Sequence, residues 1–580
     1  MNRADNLSPP LGMTAGATPA RNVRGHQQSH WHDRIGHLLL LLMCIGLAVF
    51  LLMPVLMILM HSVLDAQGRY VGLRQFAEYM STPALRQSIG NTLFIATSVT
   101  LLVIPAAFTF AYALTRSMMP LKRVFRTISL IPILAPSLLA AISFIQWFGT
   151  QGVLKGLLGG ASIYGPIGII ISECYGVFPH ALMIIITALT LADGRLYEVA
   201  DSLGTGTIRK FWTITLPGAK YGLISAALVV FTFTVNDFGV PKVIGGEFNV
   251  LAIDVYQQVI GQQNFNKGAV VSLLLLLPAL MAFVIDFTIR RKLQSQLSAR
   301  AVPYVPKKNR VFDALMFVYC AIICGLMLAV LGMAVYTSLI KLWPYNLTLS
   351  LDHYYFGLVE GEMLESYLNS LKLALYVVVF GTTLIFSTAY LVEKTRGMNG
   401  VRPVIRMLAL LPMGVPGLVL GLGYIMFFND PANPLSFLYR SMLILVLSTI
   451  VHYFTSSYLT AVTALKAIDN EFEAVSASLK VPFYKTFVRV TVPVCLPAVL
   501  DIGRYLFINA MTTISTVVFL YSPDTTLASV AILNLEAEGK IGPATAMATL
   551  IVLTSILVCG LYALVTRVLL KKAQRWRSAT

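Results

Sequence analysis

Two polar stretches of one pattern are the residues of this chain best placed to do a job. The first runs Glu198-Val-Ala200-Asp-Ser-Leu-Gly204, then nine residues, then Ile214-Thr-Leu216-Pro217. The second runs Phe472-Glu473-Ala-Val-Ser-Ala-Ser-Leu-Lys480, with Val490-Thr-Val492-Pro493 at the matching distance. Each reads as a short helix, a turn and a second short helix ending at Pro. Both are too polar to lie in lipid, yet both sit between long apolar segments. A membrane chain that repeats such a loop on one face is offering it to a soluble partner, so the chemistry expected is docking. In the first copy Glu198 is placed to cap or pair at the contact, and Gly204 permits a turn at positive φ. In the second, alignment on Pro493 puts Ala474 at the Glu position and Lys480 at the Gly position. A lysine adopts positive φ less readily than glycine, so the two contacts are expected to be unequal.

A second set of candidates lies inside the apolar segments, where polar side chains are costly and mark transport pathways. Thr232, Thr234, Asn236 and Asp237 mark the fifth segment. Asn509, Thr512, Thr513, Ser515 and Thr516 occupy the matching stretch of the eleventh. The competing reading is that such groups bond their own helix backbone or a neighbour. Asp501 and Arg504, three apart, can pair on one helix face. Glu173, His180 and His452 are weaker candidates, and Lys372 is close enough to its helix end to snorkel. No G-x-x-x-x-G-K-[ST] loop, metal-ligand cluster or Ser/His/Asp arrangement occurs in the sequence. No catalytic or metal site is expected, and any ATP-Mg belongs to partner subunits.

The elements that carry these residues follow from composition. The 580 residues are 57% hydrophobic and 12% charged, with mean hydropathy +0.76, against about 25% charged in soluble domains. A bilayer core takes roughly 20 apolar residues per helix. Twelve such segments are expected, near 35–60, 88–114, 127–148, 166–189, 221–240, 268–289, 312–339, 368–392, 404–428, 442–465, 497–521 and 543–569. The alternating ten-residue strands of a membrane barrel are absent. With the N-terminus inside, the inner segments hold 32 of the 43 Lys and Arg residues, as the positive-inside rule requires. That asymmetry accounts for the net charge of +17 without nucleic acid, and places both termini and both polar loops in the cytoplasm. The six cysteines, Cys44, Cys174, Cys320, Cys324, Cys495 and Cys559, form no C-x-x-C pair and read as packing residues.

The repeat reaches beyond the loops. Asn91-Thr92-Leu93 recurs as Asn369-Ser370-Leu371, and Ala111-Tyr112 with Arg116 as Ala389-Tyr390 with Lys394, all at an offset of 278. Pro132 and Pro136 recur as Pro412 and Pro416, offset 280, and Pro217 as Pro493, offset 276. So slow a drift indicates duplication of a six-helix unit, and an even helix count makes the two copies parallel. The division expected is a disordered cytoplasmic tail over 1–34, one module over 35–292 with its loop at 198–217, and a basic linker over 293–311. A second module spans 312–572 with its loop at 472–493, and a basic tail covers 573–580. The four recurring prolines, read as helix-internal, each remove a backbone bond and favour kinks, either lining a pathway or reflecting the tolerance of membrane helices for proline.

The loops resemble the EAA loop of ABC-importer permeases, E-A-A-x3-G-x9-I-x-L-P, which the first copy fits at Glu198, Ala200, Gly204, Ile214, Leu216 and Pro217. The chain as a whole resembles the fused two-module permeases of type I ABC importers, over roughly 88–290 and 368–570. The stretches 236–265 and 504–530 are similar to permeases for 2-aminoethylphosphonate. That resemblance implies an all-α inner-membrane permease moving a phosphonate inward by alternating access. Two ATPase subunits would dock at the loops, and a periplasmic binding protein would deliver the ligand. Ferric iron, thiamine and polyamines are the alternative cargoes among related permeases. A secondary transporter of twelve helices in two parallel halves is the rival from another class, but it has no use for twin loops.

Overall fold

The structure is a computed structural model, and it describes residues 31–65, 67–296, 302, 304–359, 362–395, 397–469 and 471–577. The expected tail therefore lies almost wholly outside the described residues, as does part of the linker. Among the described residues eight helices are long and apolar enough to cross a membrane, and four bent helix pairs raise the number to twelve if each pair is one span. All twelve expected segments are present. In order, the spans are Arg34–Ser62, Pro83–Arg116, Lys122–Leu134 with Ser137–Phe148, Pro166–Thr190, Thr207–Asn236 and Phe265–Ile289. The second set is Arg310–Ser338, Met363–Lys394, Val401–Gly414 with Gly417–Phe428, Met442–His452 with Phe454–Lys466, Phe483–Val494 with Leu496–Thr512, and Ile541–Leu569. Backbone helix continues past the first set to Gln296 and past the second to Arg577, so the helix takes in most of the expected basic tail.

The recurring prolines are not helix-internal. The third span bends by 102° and the ninth by 114°, and each bend falls at the second proline of its pair. Ala135 and Val415 are extended, at ψ 144 and 116, because a following proline ring disfavours the helical region for the residue before it. Pro132 and Pro412 open the short 3-10 turns just ahead of each bend. True helix-internal prolines, Pro105, Pro179 and Pro278, leave their spans unbroken.

The duplication holds in topology and drifts in detail. The fifth span is one helix from Thr207 through Pro217 to Asn236, passing a π-helical turn at Phe211–Thr215. Pro217 thus follows directly on the π-helical turn inside a continuing helix, and the short second helix does not end there. The eleventh span carries an additional proline, Pro497, and it breaks at Cys495 with a bend of 79°. The ring at 497 crowds the residue 493 carbonyl and offers it no N–H, which favours a break here.

Each half lends its first span to the other. The first span lies along the ninth: Tyr424 Oη donates to the Phe50 carbonyl at 2.6 Å, and Phe50 stacks on Phe428 at 5.7 Å. The seventh lies along the third: Trp147 Nε1 donates to the Ala329 carbonyl at 3.2 Å, and Phe125 meets Phe317 edge-on at 5.3 Å. The Asn-Thr/Ser recurrence also acquires a role. Asn91 donates to the Asn249 carbonyl and Asn369 to those of Asp524 and Thr526. Thr92 and Ser370 accept the N–H groups of Leu251 and Ala528, at the start of the short helices Leu251–Tyr256 and Ala528–Ala537. The same side chains thus tie a short helix to the far end of the second and eighth spans.

Candidate functional site: two exposed loops and two elbows

The first loop folds as Arg195–Ser202, a turn, and Thr207–Lys210 leading into the fifth span. The second folds as Glu471–Ser478, a turn, and Phe483–Thr486. Gly204 has φ +68 and Lys480 φ +53, so the left-handed turn is kept where glycine is not. Glu198 and its counterpart Ala474 are both exposed, whereas Ala200 is buried under its loop. Leu216 is half-buried, and Pro217 and Pro493 face outward.

The outward face of each loop is apolar in register. Leu196, Val199, Leu203, Ile208 and Trp212 are exposed on the first, and Phe472, Val475, Leu479, Tyr484 and Val488 on the second. Every member of one set stands at the same offset from its counterpart as Pro217 does from Pro493. Leu203 is 76% exposed and Leu479 69%. Leu196, Val199 and Leu203, and likewise Phe472, Val475 and Leu479, precede the fifth and eleventh spans, and apolar side chains grouped there fit a surface that another protein covers.

Beneath the loops, the same positions hold them by different chemistry. In the first half the Arg116 guanidinium lies 5.0 Å from the centre of the Tyr197 ring and donates to the Leu189 carbonyl at 2.8 Å. Tyr197 Oη bonds Thr215 Oγ1 at 2.8 Å. In the second half Lys394 and Glu473 stand at those places and form an ion pair at 3.4 Å, with the lysine 4% exposed. Lys394 also donates to the Ile468 carbonyl at 3.0 Å. Tyr112 meets Phe211 at 6.0 Å, and its repeat Tyr390 meets Phe487 at 4.7 Å. The sequence shows that Arg116 and Lys394 recur. It does not show that Tyr197 and Glu473 are their partners, because a cation can be held by a ring or by a carboxylate.

The linker also reaches the first loop. Gly194 N–H donates to the Val302 carbonyl at 2.7 Å. Tyr304 packs on Tyr197 at 4.6 Å, with Arg116 4.5 Å from the Tyr304 ring centre. Lys307 Nζ lies 2.6 Å from Asp201, which also bonds Lys210. These bonds, Lys210 first, hold the Asp201 carboxyl below its usual range. No sequence signal announces this contact.

The polar residues of the fifth and eleventh spans fall into two groups. Thr232, Asn509 and Thr512 bond carbonyls four residues back in their own helices, Leu228, Tyr505 and Ile508. Thr234 Oγ1 and Asn236 Oδ1 are buried without a hydrogen-bond partner among the described residues. The helices end at Asn236 and Thr512, earlier than the sequence suggests, so Asp237, Thr513, Ser515 and Thr516 lie in the turn beyond. Asp237 accepts the Val240 N–H at 2.9 Å, heading the short helix Gly239–Ile244, and is hydrogen-bonded by Glu173 and Ser137. Thr513 and Thr516 bond each other at 3.1 Å.

These turns press against the proline elbows. A Cβ on Gly239 would collide with Ser137 Oγ, and one on Gly417 with Ser515 Oγ. Ser137 and Gly417 follow the elbow prolines, and Gly239 and Ser515 hold matching places in the two halves. The serine and the glycine have therefore exchanged sides between the halves. Between the halves, Tyr256 stacks on Phe519 at 6.2 Å with Lys242 Nζ 5.1 Å from the Tyr256 ring centre. This contact lies toward the end remote from the loops.

Elsewhere, Asp501 and Arg504 pair at 3.1 Å on an exposed face. His180 packs edge-on against Phe233 at 4.8 Å, and His452 against Tyr453 at 4.6 Å. Among the described residues no three His, Cys, Asp or Glu side chains converge as a metal site.

Compared with known proteins, residues 103–295 and 381–571 each match the family model described as binding-protein-dependent transport system inner membrane component. The ferric transport system permease protein FbpB of Actinobacillus pleuropneumoniae is 24% identical over 522 residues, 87% of this chain and 74% of that protein. The Fe(3+)-transport system permease protein FbpB 2 of Haemophilus influenzae is 23% identical over 89% of this chain and 96% of its own length. The spermidine/putrescine transport system permease protein PotB of the same organism is 25% identical over 252 residues, 41% of this chain and 88% of that protein.

Proposed function

The chain belongs to the family of binding-protein-dependent transport system inner membrane components, and from that membership we propose that it carries ferric iron inward, driven by two ATPase subunits docked on its two loops. It is a multi-pass inner-membrane permease and not an enzyme, and ATP is hydrolysed in a partner subunit. The observation that carries the docking reading is the set of exposed apolar side chains on each loop, matched position by position between the halves. Two apolar faces matched in register on one chain call for two copies of one partner. Both loops, both termini and the linker then lie in the cytoplasm, in line with the Lys/Arg asymmetry.

In this reading a periplasmic binding protein hands its cargo to the opposite face. Closure of the ATPase pair pushes on both loops, and the push reaches the elbows through the fifth and eleventh spans. The Tyr256–Phe519 contact is the outer gate that opens in response. The polar groups from Thr232 to Asp237 and from Asn509 to Thr516 supply hydroxyl and amide ligands along the path.

Ferric iron is preferred as cargo because two relatives matched over most of their length carry that name. The 2-aminoethylphosphonate reading rests on the stretches 236–265 and 504–530 alone. Uptake separates the two. Proteoliposomes holding the chain with its ATPase are given binding protein loaded with radiolabelled ferric iron. ATP-dependent accumulation of iron is expected. Iron uptake at background, together with loss of growth on 2-aminoethylphosphonate when the chain is deleted, would transfer the cargo assignment to the phosphonate.

A further inference from the structure

We infer that the inter-repeat linker forms part of the first docking surface, so that the ATPase on that side grips loop and linker together. The inference rests on the docking reading above and extends it to residues outside the loops.

The described part of the linker is held at both ends. At Val302 the carbonyl accepts Gly194 N–H at 2.7 Å and the N–H is directed to Asp193 Oδ1 at 3.4 Å. At its end, Asn309 caps the seventh span through Phe312 N–H, and Asp313 accepts the Met118 N–H at 2.8 Å. Between these points Tyr304 lies against Tyr197 and Arg116, and Lys307 pairs with Asp201. The anchors are residues of the first loop and its approach, of the helix end beneath it, and of the start of the seventh span.

What remains points outward. Val305 is 79% exposed, and the side chains of Lys307 and Lys308 are exposed beside it. Val305, exposed one residue from the Tyr304 that packs on Tyr197, adds an apolar side chain on the linker beside the loop that carries Leu196, Val199 and Leu203. The two lysines give that edge a positive charge. The occupant that fits is the ATPase subunit itself, through an apolar cleft whose rim on this side carries carboxylates.

In the second half Lys394 pairs with Glu473 Oε2, a carboxylate standing where the first half uses the Tyr197 ring. The two docking sites therefore differ in kind. Through the linker, force on the first site also reaches the seventh span, which begins at Arg310 and belongs to the other half.

Photo-cross-linking in the assembled transporter tests this. p-Benzoylphenylalanine is placed singly at Val305, at Val199 and Val475 on the two loops, and at Tyr70, exposed at the opposite end. Cross-links to the ATPase subunit are expected from positions 305, 199 and 475 and not from 70. If 199 and 475 cross-link while 305 stays at the level of 70, the linker is only an internal brace and the inference is overturned with docking intact. If neither loop position cross-links, the docking reading itself fails and the inference falls with it.

Discussion

Gly204 and Lys480, matching residues of the two halves, occupy the same left-handed backbone position, at φ +68 and +53. The glycine adopts it without strain, whereas the lysine does so at a cost of about 1–2 kcal/mol. Among the described residues nothing lies within 4 Å of where a Cβ would stand on Gly204, so a substitution there is felt chiefly through the backbone. Gly204→Ala is expected to loosen the first loop by about 1 kcal/mol and Gly204→Val by more. Lys480→Gly should leave the second loop unchanged or slightly firmer, since the relief is offset by the extra freedom of glycine when unfolded. Amide hydrogen exchange over 195–210 and 471–486 reads both. A Gly204→Val loop as protected as wild type would show that the turn relaxes out of the left-handed region.

The exposed leucines give the docking reading its sharpest test. Leu203→Asp and Leu479→Asp each remove an apolar contact worth roughly 1.5–3 kcal/mol when covered, or about ten- to a hundredfold in affinity. Each variant should reach the membrane in normal amount, because neither side chain packs within the chain. Native mass spectrometry of the purified complex should show one ATPase copy retained by each single variant and none by the double. Two copies on the double variant would end the assignment of the loops as docking surfaces.

Glu473 and Glu198 should separate cleanly. Glu473 neutralises Lys394, which is 4% exposed, and truncating one member of a buried pair is costly, about 3–5 kcal/mol where no other acceptor remains. The Ile468 carbonyl still accepts from Lys394. Glu473→Ala is therefore expected to cost less, about 2 kcal/mol, the scale of one hydrogen bond to a charged group. Glu198→Ala, on an exposed side chain, should change stability by under about 0.5 kcal/mol and act only on ATPase coupling. Thermal unfolding with and without the ATPase distinguishes them, and equal unfolding losses for both would contradict the burial argument.

How much of this is legible in the sequence depends on whether the signal is local. The twelve spans are visible because bilayer thickness imposes a run length on the sequence. The left-handed turn at Lys480 is visible only through its register with Gly204. The elbows at Pro136 and Pro416 read as kinks inside helices, since a proline alone does not say whether the chain bends gently or turns by 102°. Asp237 and Thr513 read as membrane-buried helix positions because the residues after them are apolar, yet the helices end just before both. The hold of Tyr304 on Tyr197 leaves no trace, as a single aromatic in a basic linker has no periodicity or spacing to reveal its partner.

The serine–glycine exchange at the elbows gives the last prediction. In the first half Ser137 leaves room only for glycine at 239, and in the second Ser515 leaves room only for glycine at 417. Gly239→Ala and Gly417→Ala should each overpack the contact and cost about 1–3 kcal/mol. The cost should be largely recovered in Gly417→Ala with Ser515→Gly, because the methyl then fills the space the hydroxymethyl left, and only in part in Gly239→Ala with Ser137→Gly, which also loses the Ser137 hydrogen bond to Asp237. Placing the serine on the other side restores the packing the opposite half already uses. Ser137→Gly with Gly239→Ser is therefore expected to unfold close to wild type, where a change of about 1 kcal/mol shifts the midpoint by roughly 2–4 °C in a large domain. Transport by that exchanged variant reads the elbow directly. If turn and elbow move as one body during the cycle, activity returns with stability. If stability returns and transport does not, the contact must slide during transport, and the two halves exchanged their serines because each elbow slides in its own way.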